Sequence, residues 1–560
     1  MSTHDRQYYE QTDSTFYEEY NDTRDWAIGI NKMVVATPGF HIDASQMAVV
    51  SGQPEGKIRQ GLMIDKMRMP GHSESNVTML ADVIYKFAEN LLEDNSAFEK
   101  FKYEKMQKIF FGTESNADRS RPELEPAIQM AISKLQEDAQ NPSKSPNKIR
   151  FIVDALRHAQ IIAITYACVG GVNALDSARD YMTSKILQAQ NTSALVITVD
   201  TAFYDSSKAP GAELTQGASA TLSWITKNPK LAEIVSSIGS GSYHISLSDF
   251  TKFGSETPEV HGQLSEVTYM YVIAKALESM VNNNPGLCIE YDLVLTHVPF
   301  PKQAVKFAQF LYAHKLRTQN PEELVRLEEQ IGPDPLRGHG GFTYYISNFL
   351  KVRNESGEQS LSEQDIVKEL EKDALLNKYV EWLKALSKTE EFNQFTSKLH
   401  FSEVFENPSK IGNSYTSSIF TGLASILGNI EKISQDVGHL PRVLFIGYGS
   451  GAQAVSMMLD VHSDKQEVSK NLHVKLNDEN PVSAQVYKDL HQLHITGDAH
   501  RTLTDDNLVE RDMRIKRLVD GVEMPIKLPD GFHVIKRNSD GTGEYAFVKD
   551  GKSNPVKTRF

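Results

Sequence analysis

The chain has 560 residues, of which 40% are apolar and 24% are charged, and its formal net charge is −14 at neutral pH. Its length predicts several domain-sized units. Its acidic charge argues against a general nucleic-acid or anionic-membrane surface but allows a local basic patch that binds a phosphorylated ligand. The first 26 residues are polar and acidic, unlike a signal peptide, and no apolar run approaches the roughly 20 residues that span a bilayer. Two cysteines are too few for a disulfide framework and fit a reducing compartment. Together with the charge and the lack of long apolar runs, they lead us to expect a cytoplasmic protein without a membrane or nucleic-acid partner.

Short apolar runs recur along the chain and predict buried strands. These runs are residues 28–35, 108–111, 159–167, 194–199, 290–296 and 442–446. Polar, helix-compatible stretches follow several of them. Strands that alternate with helices indicate an α/β protein whose sheets are covered by helices on their faces.

Two later segments depart from this alternation. Residues 315–409 are rich in Glu, Lys, Asn and Gln, and residues 374–387 show helical periodicity, which together predict a mostly helical insertion. Near the C-terminus, the runs 532–535 and 544–548 flank the turn residues 538–541. That pattern is typical of a β-hairpin.

The segment AQIIAITYACVGGVNALDSARDYM, which starts at Ala159, places Cys168 where a strand gives way to a helix. The partial positive charge of a helix N-terminus would favour the thiolate form of Cys168. Gly170 and Gly171 would let the backbone approach an acyl group and leave amide donors free for an oxyanion. From these residues alone, an inert cysteine at the end of a core strand is the commoner outcome.

The cysteine segment and five others, in the same order along residues 29–459, resemble the motifs of the 3-hydroxy-3-methylglutaryl-CoA synthase family. The other five are FGTESNAD (111–118), VITVDTAFYDSSKAPGAELTQGASATL (196–222), LTHVPFPK (295–302), IGNSYTSSIFTGLASIL (411–427) and IGYGSG (446–451). The resemblance implies a thiolase-like fold of two related α/β halves, with the helical insertion in the second. The implied divisions are a flexible acidic segment at 1–26, a first half at 27–226, and a second half at 227–560 that includes a C-terminal extension.

The resemblance assigns three catalytic residues. Cys168 would accept an acetyl group as a thioester, Glu114 would remove a proton from its methyl group, and His297 would hold and polarise the acetoacetyl carbonyl. Without the resemblance, Glu114 is equally a solvated residue in the first turn of a helix, and His297 is more readily a satisfied core residue. If the helix terminus activates the thiol, Glu114→Gln should form the acetyl-enzyme normally and fail to condense it.

Further positions match family residues around the substrates. The implied substrate-binding residues are Asn413, Ser450, Lys302, Lys306, Gly449, Thr215 and Tyr415, and the implied supporting acids are Asp118, Asp200 and Asp249. Lys302 and Lys306 have the spacing of one helical face and could meet CoA phosphates or could be solvated surface lysines. The glycine-rich run 447–452 lacks a surrounding Rossmann domain, so we interpret it as a turn beside the thioester. We assign Cys288 to the core and expect no metal or redox cofactor.

The resemblance implies condensation of acetyl-CoA with acetoacetyl-CoA to give 3-hydroxy-3-methylglutaryl-CoA for the mevalonate pathway, by a homodimer. Two alternatives stay open: a β-branching enzyme that uses carrier-bound ketoacyl groups, and a catalytically silent scaffold. A simple acetoacetyl-CoA thiolase is more distant because it normally needs a second active-site cysteine. Departures from the family pattern at Val169, at 251–253 and at His261 are expected near the CoA tunnel and leave the acyl preference open.

Overall fold

The computed structural model describes residues 27–115, 122–187, 190–209, 211–247, 249–252, 257–284, 290–355, 369–370, 372–462, 465–476, 480–495, 507–537 and 543–556. The acidic N-terminal segment, Asp118, Cys288 and the predicted turn at 538–541 lie outside these residues. Within them, no helix combines the length and the apolar character needed to cross a membrane.

The strands alternate with helices along most of the chain, as the apolar runs predict. The strands are β1 (Ile28–Ala36), β2 (Phe40–Asp43), β3 (Lys66–Met69), β4 (Lys105–Gly112), β5 (Gln160–Ile164), β6 (Thr192–Thr201), β7 (Ala218–Lys227), β8 (Ala232–Ile234), β9 (Gly241–His244), β10 (Phe250–Thr251), β11 (Glu259–Val260), β12 (Leu293–Thr296), β13 (Arg442–Gly449), β14 (Gln453–Val461), β15 (Leu472–Lys475), β16 (Asn480–Pro481), β17 (Lys516–Val519), β18 (Val522–Pro525), β19 (Gly531–Arg537), β20 (Gly543–Lys549) and β21 (Lys552–Val556).

The helices include long ones on both sides of the main sheet and a series of shorter ones between β12 and β13. They are α1 (Ala44–Ser51), α2 (Asn76–Glu93), α3 (Asn95–Tyr103), α4 (Leu124–Asp138), α5 (Pro146–His158), α6 (Gly170–Leu187), α7 (Gly262–Asn283), α8 (Pro301–Gln319), α9 (Pro321–Ile331), α10 (Phe342–Glu355), α11 (Ala374–Leu386), α12 (Glu390–Ser397), α13 (Phe401–Val404), α14 (Glu406–Ile411), α15 (Ser418–Gly428), α16 (Ile430–Val437), α17 (Lys465–Asn471), α18 (Ala484–Ile495) and α19 (Leu508–Arg514).

One large sheet runs through the molecule in the order β12-β13-β14-β8-β1-β7-β6-β4-β5. In its first half, β5, β4 and β6 are parallel and β7 is antiparallel to β6. In its second half, β12 and β13 are parallel and β14 is antiparallel to β13. The two halves join where β8 pairs with β1. Because the carboxyl ends of parallel strands meet at one edge of a sheet, this arrangement brings the ends of β4, β5 and β6 together.

Side chains along each strand alternate between two cores, as a sheet covered on both faces requires. Phe110 of β4 and Phe445 of β13 face a shared inner core. Apolar residues of α6 and α15 fill that core from the other side. Phe111 faces a separate outer core under α2 and α4, and Leu444 faces one under α7 and α8. The fold is therefore a thiolase-like α/β fold in which α6 and α15 lie at its centre.

The predicted strands are confirmed, although several of them begin or end a few residues away from the predicted bounds. Strand β5 stops at Ile164, three residues before Ala167, because the chain turns toward the inner core there. Strand β12 begins at Leu293. Between 315 and 409, the described residues form helices without strands, and α11 matches the predicted periodic stretch closely. The predicted C-terminal hairpin is also confirmed, since β19 and β20 pair antiparallel.

The C-terminal extension packs onto the first half of the sheet. Phe532 and Phe547 of the β19–β20 hairpin meet the Tyr85 ring of α2 edge to face. The buried Asp512 carboxylate of α19 accepts hydrogen bonds from the backbone amides of His72 and Ser73, at 2.8 Å each. Strand β15 also pairs in parallel with the second part of β1. The first half of the molecule is thus completed by residues from the end of the chain.

Candidate active site

Cys168 lies in the tight loop between β5 and α6. Ala167, directly before it, has a left-handed backbone (φ 38°), which places the sulfur toward the interior. The loop then enters α6 at Gly170. A Cβ atom at Gly171 would lie 2.7 Å from the Thr416 carbonyl oxygen, so only glycine permits this close packing at the start of the helix. The predicted strand-to-helix junction is therefore confirmed as the position of Cys168.

The Cys168 thiol faces the Glu114 carboxylate. The loop after β4 presents Glu114, whose Oε2 lies 3.2 Å from Cys168 Sγ in the geometry of a thiol that donates. The other carboxylate oxygen, Oε1, lies 3.3 Å from Lys252 Nζ. Glu114 is 6% exposed and Lys252 is 26% exposed, so the three groups form a row that leads from the buried sulfur toward solvent.

Electrostatics correct the sequence-based expectation of a thiolate held by the helix terminus. Burial raises the pKa of the Cys168 thiol well above its ordinary value, and the Glu114 carboxylate raises it further. Burial likewise raises the pKa of Glu114, whereas Lys252 lowers it. The expectation is wrong for the resting site because the sulfur is desolvated beside an acid. The arrangement instead suits transfer of the thiol proton to Glu114.

Asp200, at the end of β6, fixes the loop that carries Glu114. This fully buried carboxylate accepts hydrogen bonds through Oδ1 from the backbone amides of Glu114 and Ser115, at 2.9 and 2.8 Å. The hydroxyls of Thr113 and Ser115 donate to the same oxygen. Oδ2 accepts from the backbone amide and the hydroxyl of Thr416. One side chain thus joins the Glu114 loop of the first half to the segment before α15 in the second.

We expect Asp200→Asn to lower the free energy of unfolding by about 3 kcal/mol, because an amide nitrogen cannot accept the hydrogen bonds made to one of the two oxygens and leaves buried donors unsatisfied. Urea denaturation of the variant and the wild type measures this difference. Asp205→Asn is the matched control. In the described part of the chain, the Asp205 carboxylate accepts hydrogen bonds from Ser207 in its own turn, and its replacement should cost about 0.5 kcal/mol or less. Equal stability of the two variants would contradict the role of Asp200.

His297 follows β12, the parallel neighbour of β13. It is almost fully buried, and its Nδ1 lies 2.9 Å from the Ser418 hydroxyl at the start of α15. Burial lowers the pKa of His297 to about 3, so the imidazole is neutral at physiological pH. Its ring stacks on Tyr448 with centroids 6.4 Å apart. Burial raises the pKa of the Tyr448 phenol most, and Asp249 raises it further. The Cys168 thiol is close enough to raise it as well.

Aromatic side chains enclose the sulfur. Cys168 belongs to a small buried cluster with Tyr204 and Tyr415, against which Phe250 packs. The Tyr415 ring meets the rings of Tyr204 and Phe250 edge to face, each at 6.1 Å between centroids. Asn413 supports this wall: its Oδ1 accepts from the Tyr415 amide at 3.0 Å, and its Nδ2 donates to the Tyr204 hydroxyl at 3.4 Å. The structure thus brings Asn413 and Tyr415 to the thiol.

The glycine-rich turn after β13 lies directly on the cysteine loop. A Cβ atom at Gly449 would lie 2.8 Å from the backbone nitrogen of Val169. Asp249 holds the turn by accepting from the Tyr448 hydroxyl at 3.0 Å and the Gly451 amide at 2.9 Å. The Ser450 side chain also contacts Asp249.

The other predicted positions are less central. Val169 is fully buried in the inner core, so its departure from the family pattern concerns packing rather than a tunnel wall. Lys302 and Lys306 both lie on α8, and Lys306 forms an ion pair with Glu266 at 2.6 Å. Thr215 accepts the Asn413 amide through its carbonyl oxygen, at 2.7 Å. Within the described residues, no group of three His, Cys, Asp or Glu side chains could hold a metal ion.

The sequence did not point to three residues that lie at the site. Two of them lie outside the recognised motifs, and the third lies inside a motif but had no assigned role. Lys252 and Phe250 come from the short β10–β11 hairpin, where the expected family pattern is incomplete. Tyr204 lies inside a recognised segment, and the spacing from Asp200 on β6 could have drawn attention to it. Residues 251–253 stood out only as a departure from the family pattern, and no role for Lys252 could be inferred because its partners are distant in sequence.

Sequence comparison relates this chain to known enzymes. Residues 342–519 match the model described as "Hydroxymethylglutaryl-coenzyme A synthase C terminal". The hydroxymethylglutaryl-CoA synthase of Haloferax volcanii is 26% identical over 445 residues, which cover 78% of this chain and 84% of that protein. The enzyme of Schizosaccharomyces pombe is 25% identical over 502 residues, which cover 86% and 93%.

Solved structures agree at the level of the fold. MvaS in complex with 3-hydroxy-3-methylglutaryl coenzyme A superposes with a TM-score of 0.58 at 17% identity, covering 94% of this chain and all of that one. The HMG synthase of the curacin biosynthetic pathway, in complex with acetyl donor-ACP, gives 0.56 at 12% identity, covering 93% of this chain and all of that one. The fold and the site thus define an acyl-condensing transferase of the thiolase fold. Within that class, the chain is similar over most of its length to hydroxymethylglutaryl-CoA synthases.

Proposed function

We propose that this protein condenses acetyl-CoA with acetoacetyl-CoA and water to give 3-hydroxy-3-methylglutaryl-CoA and CoA. The observation that carries the proposal is the contact of the buried Cys168 thiol with the Glu114 carboxylate, at 3.2 Å, inside an aromatic pocket. A nucleophile and a base within hydrogen-bond reach are what covalent acyl transfer requires. The proposed setting is a cytoplasmic step that supplies the mevalonate pathway.

The first step forms the acetyl-enzyme. Glu114 accepts the thiol proton, the Cys168 sulfur attacks the thioester carbonyl of acetyl-CoA, and the carbon–sulfur bond to CoA breaks. The proton returns to the departing CoA sulfur. Glu114 is then again a carboxylate, beside an uncharged acetyl thioester whose methyl group is the next source of a proton.

The second step forms the carbon–carbon bond. Glu114 removes a proton from the acetyl methyl group, and the resulting carbanion adds to the C3 carbonyl of acetoacetyl-CoA. We assign His297 to the oxygen of that carbonyl. Its ring is neutral, and if Ser418 donates to Nδ1, then Nε2 carries the hydrogen that polarises the carbonyl. The new alkoxide takes up the proton that Glu114 removed from the methyl group, so Glu114 is again a carboxylate and the imidazole stays neutral. Water finally hydrolyses the Cys168 thioester and releases the product.

The test is a product assay with two acceptors. Purified protein is mixed with acetyl-CoA and either acetoacetyl-CoA or acetoacetyl groups attached to an acyl carrier protein, and the products are measured by mass spectrometry. Faster formation of 3-hydroxy-3-methylglutaryl-CoA from the CoA-bound acceptor supports the proposal. Faster turnover of the carrier-bound acceptor would establish the β-branching alternative, which the likeness to the curacin enzyme bound to acetyl donor-ACP favours. Absence of both products would favour a silent scaffold.

We also propose that the protein is a homodimer, paired along β5. This strand is an edge of the main sheet, and the residues of its sequence QIIAI are exposed or half-buried rather than covered. An unpaired apolar edge strand invites pairing with a second chain. Such pairing would place the two cysteine loops next to the shared interface.

Ala163→Glu is expected to dissociate this dimer, because Ala163 is an exposed residue in the middle of β5 and a carboxylate there would face its own copy across the interface. Analytical ultracentrifugation should show a wild-type species of twice 62.7 kDa and a variant close to 62.7 kDa. Val49→Glu is the control, since Val49 is 65% exposed on α1, away from the edge. A monomeric wild type would refute the dimer, and a dimeric Ala163→Glu would move the interface elsewhere.

A further inference from the structure

Among the described residues, Lys252 is the cation that contacts Glu114. Its Nζ lies 3.3 Å from Glu114 Oε1, on the side of the carboxylate opposite to the Cys168 sulfur. The same ammonium lies over the Tyr415 ring, 4.9 Å from its centroid, and 5.9 Å from the centroid of Phe250. Both rings belong to the wall of the acyl pocket, so Lys252 is held by electrostatic and cation–π contacts at once.

The hairpin that carries Lys252 is fixed to the rest of the site. Phe250 and Thr251 form β10, which pairs with β11. Directly before β10, Asp249 accepts hydrogen bonds from the Tyr448 hydroxyl and the Gly451 amide. The Asp249 carbonyl accepts from the His261 amide at 3.0 Å, which closes the hairpin. Lys252 therefore approaches Glu114 from a short, anchored segment.

We infer that Lys252 is a positioning residue that keeps Glu114 ionised and turned toward Cys168, so that the carboxylate can accept the thiol proton. This inference rests on the proposed function. It adds a third member to the Cys168–Glu114 pair, one that touches the base rather than the reacting atoms. In chemical terms, the S–H bond of Cys168 breaks and an O–H bond forms on Glu114 Oε2.

Burial and a neighbouring carboxylate both oppose the ionisation of Glu114. Burial raises the pKa of Glu114 most, and the Asp200 carboxylate raises it as well. Lys252 is the largest opposing influence, ahead of the hydrogen bond from Cys168. The neighbouring phenols of Tyr204, Tyr415 and Tyr448 all have pKa values raised by burial, so they are uncharged at neutral pH. Without Lys252, the buried site would favour a protonated Glu114 that cannot act as a base.

The experiment measures how pH controls the reactivity of Cys168. The wild type and the variants Lys252→Met and Lys252→Arg are treated with iodoacetamide from pH 5 to pH 10, and mass spectrometry of the Cys168 peptide gives the alkylation rate without any substrate. The midpoint reports the first deprotonation of the coupled Cys168–Glu114 pair. Lys378→Met, an exposed lysine on α11 of the helical insertion, is the matched control for loss of one positive charge.

Loss of the ammonium should move the midpoint of Lys252→Met to higher pH, because the negative charge of the pair loses its counter-charge. A move of about one pH unit would lower the alkylation rate roughly tenfold at any pH on the rising limb. Lys252→Arg and Lys378→Met should keep the wild-type midpoint. The acid limb of kcat/KM for the condensation should move in the same direction.

Two results would overturn the inference. One is an unchanged midpoint in Lys252→Met, and the other is an equal shift in Lys252→Arg, which retains the charge. If Lys252→Met does not fold, Lys252→Gln, which keeps a hydrogen-bond donor but lacks the charge, takes its place. Because alkylation needs no acyl substrate, failure of this inference is distinguishable from failure of the proposed condensation, which the product assay reports.

Discussion

Glu114→Gln is expected to slow the acetylation of Cys168 by at least roughly a hundredfold, and the loss of protons from the enzyme-bound acetyl group by a comparable factor. Glutamine keeps the shape of the side chain but cannot accept a proton. The thiol is buried, has a raised pKa and donates to Glu114 Oε2, so acetylation requires the carboxylate. The sequence alone predicted that acetylation would be spared. The structure changes that expectation.

Two measurements check the Glu114 prediction separately. Intact-mass spectrometry after rapid mixing with acetyl-CoA gives the rate of acetylation, and deuterium uptake into the acetyl methyl group in heavy water gives the rate of proton removal. Glu125→Gln, an exposed glutamate in the first turn of α4, is the matched control and should resemble the wild type. Normal acetylation of Glu114→Gln would mean that the helix terminus activates the sulfur. Normal deuterium uptake would mean that another residue is the base.

Cys168→Ala is expected to abolish both the acetyl adduct and the overall reaction. The proposed mechanism forms its only covalent intermediate at this sulfur, and alanine leaves the aromatic pocket of Tyr204 and Tyr415 without a nucleophile. The residual rate should fall to the limit of detection. The adduct is measured by intact-mass spectrometry under turnover conditions, and the product by the CoA-bound acceptor assay.

Cys288→Ala is the control for this experiment, because Cys288 is the other cysteine of the chain. It should keep the adduct and the activity. An adduct that persists in Cys168→Ala and disappears in Cys288→Ala would reverse the assignment of the nucleophile. Product formation by Cys168→Ala without any adduct would refute covalent catalysis altogether.

Part of the framework could be predicted from the sequence because six strands of the main sheet (β1, β4, β5, β6, β12 and β13) are compact apolar runs. Runs such as those that became β6 and β13 are buried on both faces, and turn or polar residues bound them, so their existence is a local property of the chain. The resemblance to family motifs then identified Cys168, Glu114 and His297. Each of these follows the end of a parallel strand, and the structure brings Cys168 and Glu114 into contact.

What the sequence could not predict depends on contacts between distant segments. The helix after Cys168 is visible in the glycine pattern, but the desolvation of the sulfur depends on Tyr204 and Tyr415, which come from two other segments. The raised pKa of the thiol therefore had no local signal. Lys252 lies beside Glu114, which is distant from it in sequence, so its neighbours along the chain do not indicate its role.

One edge of β1 cannot complete its native pairing until late in synthesis. One edge of this strand pairs with β7 along its length, while the other edge pairs with β8 through residues 28–30 and with β15 through residues 33–36. The partners of Met33–Ala36 are Leu472–Lys475. During synthesis, residues 33–36 emerge early and those partners emerge late, so most of the chain leaves the ribosome while this apolar edge has no native strand to pair with. Such an edge promotes aggregation, and the nascent chain is therefore most vulnerable to misassembly at its first strand until residue 475 has been translated.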